Sequence, residues 1–314
     1  MKRWIERWDA YWFPEETPLY LCMSRIMVVG MQLLFFLPSL AKHFSLLDKN
    51  PDFIDPQLII SAIAAVFPRQ SYFTHANFTA LHWLLVITGI LALVGLFTRP
   101  SVFVFALLSM FFVAHEYSYG DRHHTEALWT IFIMCMAFSP SGARLSVDAL
   151  VRRRAGIAEP DTTDSAMWPL KFAHVLLALT YFSTGASKLI AGGLTWMNGY
   201  TLQWYTFGDA MRRGYPFGIW LAQQHHLAIV LSIFTVFFEL FFFVSLLVPR
   251  AAPLFFLNAI LFHIGLYFAA GHDFFQHIAL NLTLLVCLTP WWWRDPLTKY
   301  LERARGRAPA EQPS

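Results

Sequence analysis

The sequence predicts an all-α fold: a polytopic transmembrane helical bundle of about eight spans, preceded by an N-terminal interfacial helix. Two observations lead to this prediction. Hydrophobic residues make up 57% of the 314-residue chain and charged residues 14%, whereas soluble domains average about 45–50% and about 25% respectively. The polar residues also gather in short stretches between long apolar runs, which is the arrangement that a lipid bilayer requires.

The N-terminal stretch MKRWIERWDAYW predicts an amphipathic helix at the membrane surface. On a helix, Trp4, Ile5, Trp8 and Trp12 share one face, while charged residues point away from it. Aromatic side chains on one face and charges on the other are typical of helices that lie in the membrane interface. We therefore assign residues 1–17 to an interfacial helix.

Eight apolar segments are candidates for membrane spans, since a span needs about 20 residues. They cover residues 18–40, 77–97, 100–118, 124–139, 168–191, 224–248, 252–270 and 273–291. The fourth is short for a span, and the apolar segment 53–67 is too short to cross, so we expect a re-entrant or surface helix there. Residues 18–292 form one transmembrane domain, and the polar, Pro-rich residues 293–314 are predicted to be a disordered cytoplasmic tail.

The distribution of positive charge predicts the orientation of the bundle. The termini and the loops on their side carry fourteen Lys and Arg residues, and the opposite side carries six. Because positive loops stay in the cytoplasm, we expect both termini there and the loops 41–76 and 192–223 outside. The net charge of +3 is mild, and no nucleic-acid partner is expected.

Two charged residues fall deep within apolar spans. A charge at mid-membrane costs at least ~2.5 kcal/mol on insertion scales, so it needs a partner or a function. Arg25 and Glu239 lie at similar predicted depths in the first and sixth spans, and we expect them to form a buried ion pair.

The other polar residues gather at the span ends that are predicted to face outward. They are His115 and Glu116 at the end of the third span, His123, His124 and Glu126 around the start of the fourth, Lys188 near the end of the fifth, and His272, Asp273 and His277 at the start of the eighth. A half-buried lysine beside histidines and carboxylates is an arrangement that shifts proton affinities. We therefore expect at least one of these histidines to share a cavity with Lys188, and no metal site is predicted because no HxxxH or ExxH spacing is present.

A motif around Lys188 carries a family resemblance. The segment YFSTGASKL, which ends at Leu189, is followed by Trp196-Met-Asn-Gly199. This pattern resembles the aromatic-x-x-Gly-x-x-Lys-Leu … Trp-x-x-Gly segment of the vitamin K-dependent gamma-carboxylase family, whose bacterial relatives are HTTM-domain proteins. Residues 18–26, 138–149 and 262–292 are similar to other segments of the same family, so the resemblance covers most of residues 18–292.

The resemblance implies a chemistry and a set of site residues. The family's carboxylase uses a reduced vitamin K-type quinol and oxygen to make a strong base, which removes a proton from a peptide glutamate before CO2 adds. Carried over, Lys188 deprotonates the quinol, and His123 or His124 matches an active-site histidine. From the cluster of polar span ends we assign His272, His277 and Glu116 as candidate cofactor-binding residues. Trp196 is assigned with them, because the glycines around it let the chain fold back so that its ring could roof a cavity. The chain would then be a carboxylase-like lyase of a bacterial inner membrane, with lipid and an isoprenoid quinone as partners.

The sequence departs from the family enzyme in one respect. The carboxylase carries a large extramembrane region after its spans, which helps to bind protein substrates, and only about twenty residues follow the last span here. The substrate is therefore expected to be small, to be a lipid or quinone, or to arrive with a separate protein partner. A non-enzymatic carrier or accessory protein, and a structural membrane protein with a degenerate site, remain alternatives at this stage.

Overall fold

The computed structural model of the chain describes residues 2–49, 54–57, 59–67, 73–120, 124–157 and 161–289. All of the regular secondary structure in these ranges is helical, apart from an isolated antiparallel bridge between Glu16 and Thr163. The predicted all-α fold is confirmed.

The helices of the first half overlap the apolar segments predicted from the sequence. In chain order they are α1 (Lys2–Trp12), α2 (Leu19–Phe35), α3 (Leu40–Leu47), α4 (Ile59–Val66), α5 (His75–Val94), α6 (Thr98–Tyr117), α7 (His124–Ala137) and α8 (Val147–Arg154).

The second half begins with the longest helix. It contains α9 (Trp168–Gly192), a 3-10 turn (Gly193–Asn198), α10 (Tyr200–Arg213), α11 (Pro216–Ala222), α12 (His225–Phe241), α13 (Val244–Leu247), a second 3-10 turn (Pro249–Ala251), α14 (Ala252–Ala270) and α15 (Phe275–Cys287). The segment 192–223, expected to be a loop, is therefore largely helical. The predicted span 224–248 is interrupted between α12 and α13.

The N-terminal stretch is helical where the sequence predicts a helix. Trp4 is 75% exposed, and Ile5 and Trp8 are also exposed. The Lys171 ammonium hydrogen-bonds the backbone carbonyl of Tyr11 and ties α1 to α9. An apolar face that no part of the described chain covers suits a helix lying in a membrane interface, and that placement stays a prediction.

Within the described residues, four helical segments are long and apolar enough to cross a membrane. They are His75–Val94, Thr98–Tyr117, Trp168–Asn198 and Pro249–Ala270. Two bent pairs raise the number to six: α2 with α3, bent by 63°, and α11 with α12, bent by 98°. The apolar helices Thr125–Ala137 and Phe275–Cys287 are shorter, so the eight-span count stays a prediction.

Polar side chains connect the helices inside the bundle. The indole N–H of Trp129 donates to Oε1 of Gln32 over 2.7 Å, and the amide of Gln32 donates to the hydroxyl of Ser109 over 2.8 Å. All three residues are buried. Hydrogen bonds of this kind join transmembrane helices because lipid offers their polar groups no other partner.

The predicted ion pair between Arg25 and Glu239 is wrong. Arg25 is fully buried, but its guanidinium donates to backbone carbonyls. Its Nε lies 3.0 Å from the carbonyl oxygen of Ser141, Nη1 lies 2.8 Å from that of Leu93, and Nη2 lies 2.6 Å from that of Leu145. The carbonyls at the C-terminal end of α5 carry the negative end of the helix dipole, so they stabilise the cation without a carboxylate.

Candidate functional site

The helices α9 and α12 approach each other closely at Gly185. A Cβ atom at this position would lie 2.9 Å from the backbone nitrogen of Leu240 and 3.0 Å from the Cβ of Glu239. Any larger residue would therefore hold the two helices apart. Lys188 lies one turn later on nearly the same face of α9, so the close approach brings it against α12.

The contact places Lys188 in an ion pair with Glu239. The Lys188 Nζ lies 2.8 Å from Oε1 and 2.5 Å from Oε2, which is the range of strong charge-assisted hydrogen bonds. The two side chains are 18% and 4% exposed. The indole ring of Trp196 lies 5.2 Å from Nζ, within cation–π range. The ammonium is thus held at the inner face of the helix rather than extended along it to the surface.

A cavity of about 410 Å³ lies beside the ion pair, and we call it the lysine chamber. Its lining is mostly apolar and comes from α9, the first 3-10 turn, α10, α12, α14 and the segment 271–277. Three of the residues that the sequence assigned to cofactor binding line it together with Lys188: Trp196, His272 and His277. Since His263 lines it as well, a lysine amine, three imidazoles and an apolar volume meet at one place.

Side chains from three helices, joined by hydrogen bonds and ring contacts, form one wall of the lysine chamber. The hydroxyl of Tyr181 lies 2.9 Å from Nε2 of His263, and the amide of Asn281 donates to the same hydroxyl over 3.4 Å. The ring of His277 packs edge-on against that of His263, with centroids 5.2 Å apart. These contacts tie α9, α14 and α15 together and hold the wall in a defined shape.

A second carboxylate faces the lysine chamber from α10. Asp209 is 8% exposed, and its Oδ2 lies 2.9 Å from Nε2 of His272. Its other oxygen accepts a hydrogen bond from Arg212. Burial acts to raise the pKa of Asp209, but the hydrogen bonds from His272 and Arg212 outweigh it and hold the pKa below its usual range. Asp209 is therefore ionised and orients the imidazole of His272.

A second cavity of about 460 Å³ adjoins the first, and we call it the polar vestibule. Its lining is more polar than apolar, and it shares His272 and Phe274 with the lysine chamber. The charged and titratable residues that line it are Lys42, Glu116, Glu126, Arg213, His272 and Asp273.

Glu116 lies in the polar vestibule and not in the lysine chamber. Its Oε2 lies 2.7 Å from the Lys42 ammonium, and its Oε1 lies 3.3 Å from Nε2 of His43. His43 is buried and shares a 2.9 Å contact between Nδ1 atoms with His115. The predicted cluster of polar span ends thus divides between two cavities, with Lys188 in one and Glu116 in the other.

The two histidines assigned to catalysis are not placed. His123 lies outside the described residues. His124 is described only as the first residue of α7, and nothing is described of its side chain. Their assignment rests on the sequence motif alone.

Sequence reasoning missed Glu239, Asp209 and His263 as chamber residues. Glu239 was noticed as a buried charge but assigned to the wrong partner. Asp209 belongs to a segment interpreted as a loop, although its amphipathic pattern after Gly199 is a helix signal. His263 was noted only as part of a family segment, and nothing in its spacing indicates that it meets Tyr181.

The arrangement suits proton transfer to or from an apolar molecule. At one wall Lys188 is hydrogen-bonded to Glu239, and at another the imidazole of His272 is oriented by Asp209, so both walls carry groups of the kind used in general acid–base chemistry. The apolar surface between them can hold an aromatic ring, and a volume near 400 Å³ is within the range of small-molecule sites, about 300–1,000 Å³.

Comparison with known proteins adds one match. The family model described as the HTTM domain matches residues 17–292, which include every helix from α2 to α15. No curated protein and no solved structure matches the chain.

Proposed function

This chain belongs to the HTTM-domain family, and from that premise we propose that its lysine chamber binds the ring of a reduced quinone whose hydroxyl proton passes to Lys188. The HTTM domain makes this a membrane protein related to the gamma-carboxylase family. The observation that carries the proposal is the position of the Lys188 amine, at the wall of a mostly apolar chamber and against a buried carboxylate.

The ion pair explains how a lysine can accept a proton at neutral pH. An isolated ammonium has no lone pair and cannot do so. In the proposed step, the Lys188 ammonium first passes a proton to Glu239 across their 2.8 Å contact, which leaves the amine neutral. The pair then accepts a second proton from the bound hydroxyl: the O–H bond breaks, the proton joins Nζ, and the electron pair stays on the oxygen. The resulting ammonium stabilises the negative oxygen in a low-dielectric chamber.

The mouth of the lysine chamber suits an isoprenoid quinone. Tyr205 lines the chamber and is 62% exposed, so the chamber reaches the surface of α10. The neighbouring Trp204 and Phe207 are exposed as well. An apolar surface at the mouth allows a hydrophobic tail to remain in lipid while the ring enters.

A bound quinol would supply the oxygen-dependent strong base that carboxylation requires. The chain's own residues bind the ring, exclude bulk water and hold the proton at Nζ of Lys188. In this proposal, the substrate that is carboxylated is a small molecule or a protein delivered by a separate partner.

The proposal is tested with purified protein in liposomes and a reduced naphthoquinone. Saturable quenching of tryptophan fluorescence that is lost in Trp196→Phe reports binding near Trp196, and quinol oxidation and CO2 incorporation report turnover. We expect both binding and turnover in the wild type. Binding without turnover would favour the carrier or accessory alternative, and no binding would refute the quinone proposal.

We further propose that both termini face the cytoplasm, in a bacterial inner membrane. The charge asymmetry of the loops supports this orientation. Reporter fusions after Ser314 and within residues 192–223 test it, and a reporter at Ser314 that is active outside the cytoplasm would reverse it.

A further inference from the structure

His272 stands between the two cavities. It lines the lysine chamber and also the polar vestibule. Its side chain is 36% exposed, so one edge of the imidazole is accessible. Of the two described residues that line both cavities, His272 and Phe274, only the histidine has ring nitrogens that can accept and donate a proton.

Asp209 determines which ring nitrogen of His272 can accept a proton. Because the carboxylate lies 2.9 Å from Nε2, it accepts a hydrogen bond from an N–H at that atom. The neutral imidazole then carries its proton on Nε2 and its lone pair on Nδ1. A carboxylate in this position also stabilises the imidazolium that forms when Nδ1 takes up a second proton, as in other carboxylate–histidine pairs.

The proposed function leaves a proton inside the lysine chamber. Once Lys188 has taken a proton from a hydroxyl, the Lys188–Glu239 pair carries a net positive charge in a mostly apolar surrounding, and it must lose that proton before it can act again. The side chains of Lys188 and Glu239 are 18% and 4% exposed, so neither group has more than slight contact with solvent. The polar vestibule, with its charged lining, is the nearby place where a proton is easily solvated.

We propose that His272, held by Asp209, relays the proton that Lys188 has taken up from the lysine chamber to the polar vestibule. This inference rests on the proposed function. The N–H bond of the Lys188 ammonium breaks, the proton crosses the cavity that both side chains line, and a new N–H bond forms at Nδ1 of His272. The Nδ1 proton then passes to solvent in the polar vestibule, and both residues return to their starting states. His272 is the relay and Asp209 is a positioning residue.

The test separates proton uptake by Lys188 from proton release to the medium, and it needs no turnover. The probe is 1-naphthol, an aromatic hydroxyl that stays protonated in neutral solution and whose absorbance changes when it ionises. Stopped-flow mixing with the detergent-solubilised full chain follows two signals: the absorbance of the ionised probe and the response of a pH indicator in the bulk solution. The first reports transfer to the Lys188–Glu239 pair, and the second reports escape of the proton.

His272→Gln retains a donor toward Asp209 but cannot accept a proton. We expect it to keep the absorbance change while proton release slows on the order of 10²-fold, a loss typical of a missing acid–base group. His272→Gly should show the same defect, and added imidazole should restore release, because the vestibule admits a molecule of that size. His226→Gln, which removes an imidazole that lines neither cavity, is the matched control and should release protons at the wild-type rate.

Each outcome bears on the relay. Wild-type release in His272→Gln, or failure of imidazole to restore His272→Gly, would overturn it. No absorbance change in the wild type would overturn the relay and the base role of Lys188 together. A chain that oxidises no quinol but shows the two signals, the second dependent on His272, would refute the proposed turnover and leave the relay standing.

Discussion

Lys188 and Glu239 face each other where α9 and α12 approach closely at Gly185, with Nζ 2.8 Å from Oε1 and 2.5 Å from Oε2. Both side chains lie largely inside the bundle, and the amine borders the lysine chamber. The pair joins α9 to α12, and both the stability of this contact and the proposed proton chemistry can be tested through it.

Replacing Lys188 by arginine should abolish proton uptake while preserving the fold. A guanidinium keeps the ion pair with Glu239, but it stays protonated and cannot serve as a base. We expect quinol oxidation to fall by about 10²–10⁴-fold in Lys188→Arg and in Lys188→Ala. Lys171→Arg is the control, because Lys171 also belongs to α9 but does not line the lysine chamber. Full activity in Lys188→Arg would refute the base role.

Breaking the Lys188–Glu239 pair from one side should destabilise the protein. Glu239→Ala leaves a buried ammonium without its counter-ion, and losses of roughly 3–5 kcal/mol are typical of such changes. Replacing both residues by apolar ones of similar size, as in Lys188→Met with Glu239→Leu, should recover most of the loss. Reversible unfolding in mixed micelles measures both variants, and a double variant no better than Glu239→Ala would contradict the pairing.

Unfolding in mixed micelles also tests whether Arg25 interacts with Glu239 or with backbone carbonyls. Arg25→Met and Glu239→Ala should destabilise independently, since the two side chains bind different groups, and their effects should add within about 0.5 kcal/mol. A larger coupling energy would restore the ion pair that the sequence suggested.

A methyl group at Gly185 should push α9 and α12 apart. The added Cβ would meet the backbone nitrogen of Leu240, which cannot move aside as a flexible side chain could. We expect Gly185→Ala to cost roughly 1–3 kcal/mol, as overpacking usually does, and to weaken probe binding in the chamber. Gly265→Ala in α14 is the matched control, because a Cβ there meets no atom within 4 Å, and it should be neutral or slightly stabilising. Equal losses in both variants would contradict the close-contact explanation.

Asp209 should make stability depend on acidic pH. Its pKa in the folded state is held low by His272 and Arg212 despite the opposing effect of burial. The stabilisation that ionised Asp209 contributes is therefore fully present above its unfolded-state pKa of about 3.9. It is lost as the pH falls through the lower pKa of the folded state. Unfolding measurements between neutral pH and about pH 3 should show a steeper loss in the wild type than in Asp209→Asn. Parallel curves would show that the carboxylate makes no net contribution.

Asp209→Asn also distinguishes positioning from packing. The amide can donate to Nε2 of His272, which would place the imidazole proton on Nδ1 and remove the acceptor. We expect slow proton release with normal probe binding, and partial recovery in Asp209→Glu. If Asp209→Asn released protons normally, Asp209 would not orient the relay.

Part of the candidate site could be predicted from local sequence. Lys188, Trp196, His272 and His277 were identified by a motif and by their positions at span ends, and all four line one chamber. The depth of a residue along the bundle follows from counting residues along its helix, because the rise per residue is constant.

The partner of Glu239 could not be predicted in this way. Similar depth made Arg25 a plausible partner, but depth says nothing about which helices are neighbours or which way each face points. Arg25 is satisfied by carbonyls at the end of α5 and in the turn after α7, which come from distant parts of the chain. The same reason explains why Glu116 was grouped with Lys188, although a different cavity holds it.

The sequence by itself determined that this chain is an all-helical membrane protein, because the bilayer imposes long apolar segments that are visible residue by residue. It also determined the motif that contains Lys188. Only the tertiary structure decided that Gly185 lets α12 bring Glu239 to that lysine, that Asp209 orients His272, and that two cavities meet at His272. These are relations between residues 51 to 63 positions apart, and they depend on helix rotation and packing, which no local pattern encodes.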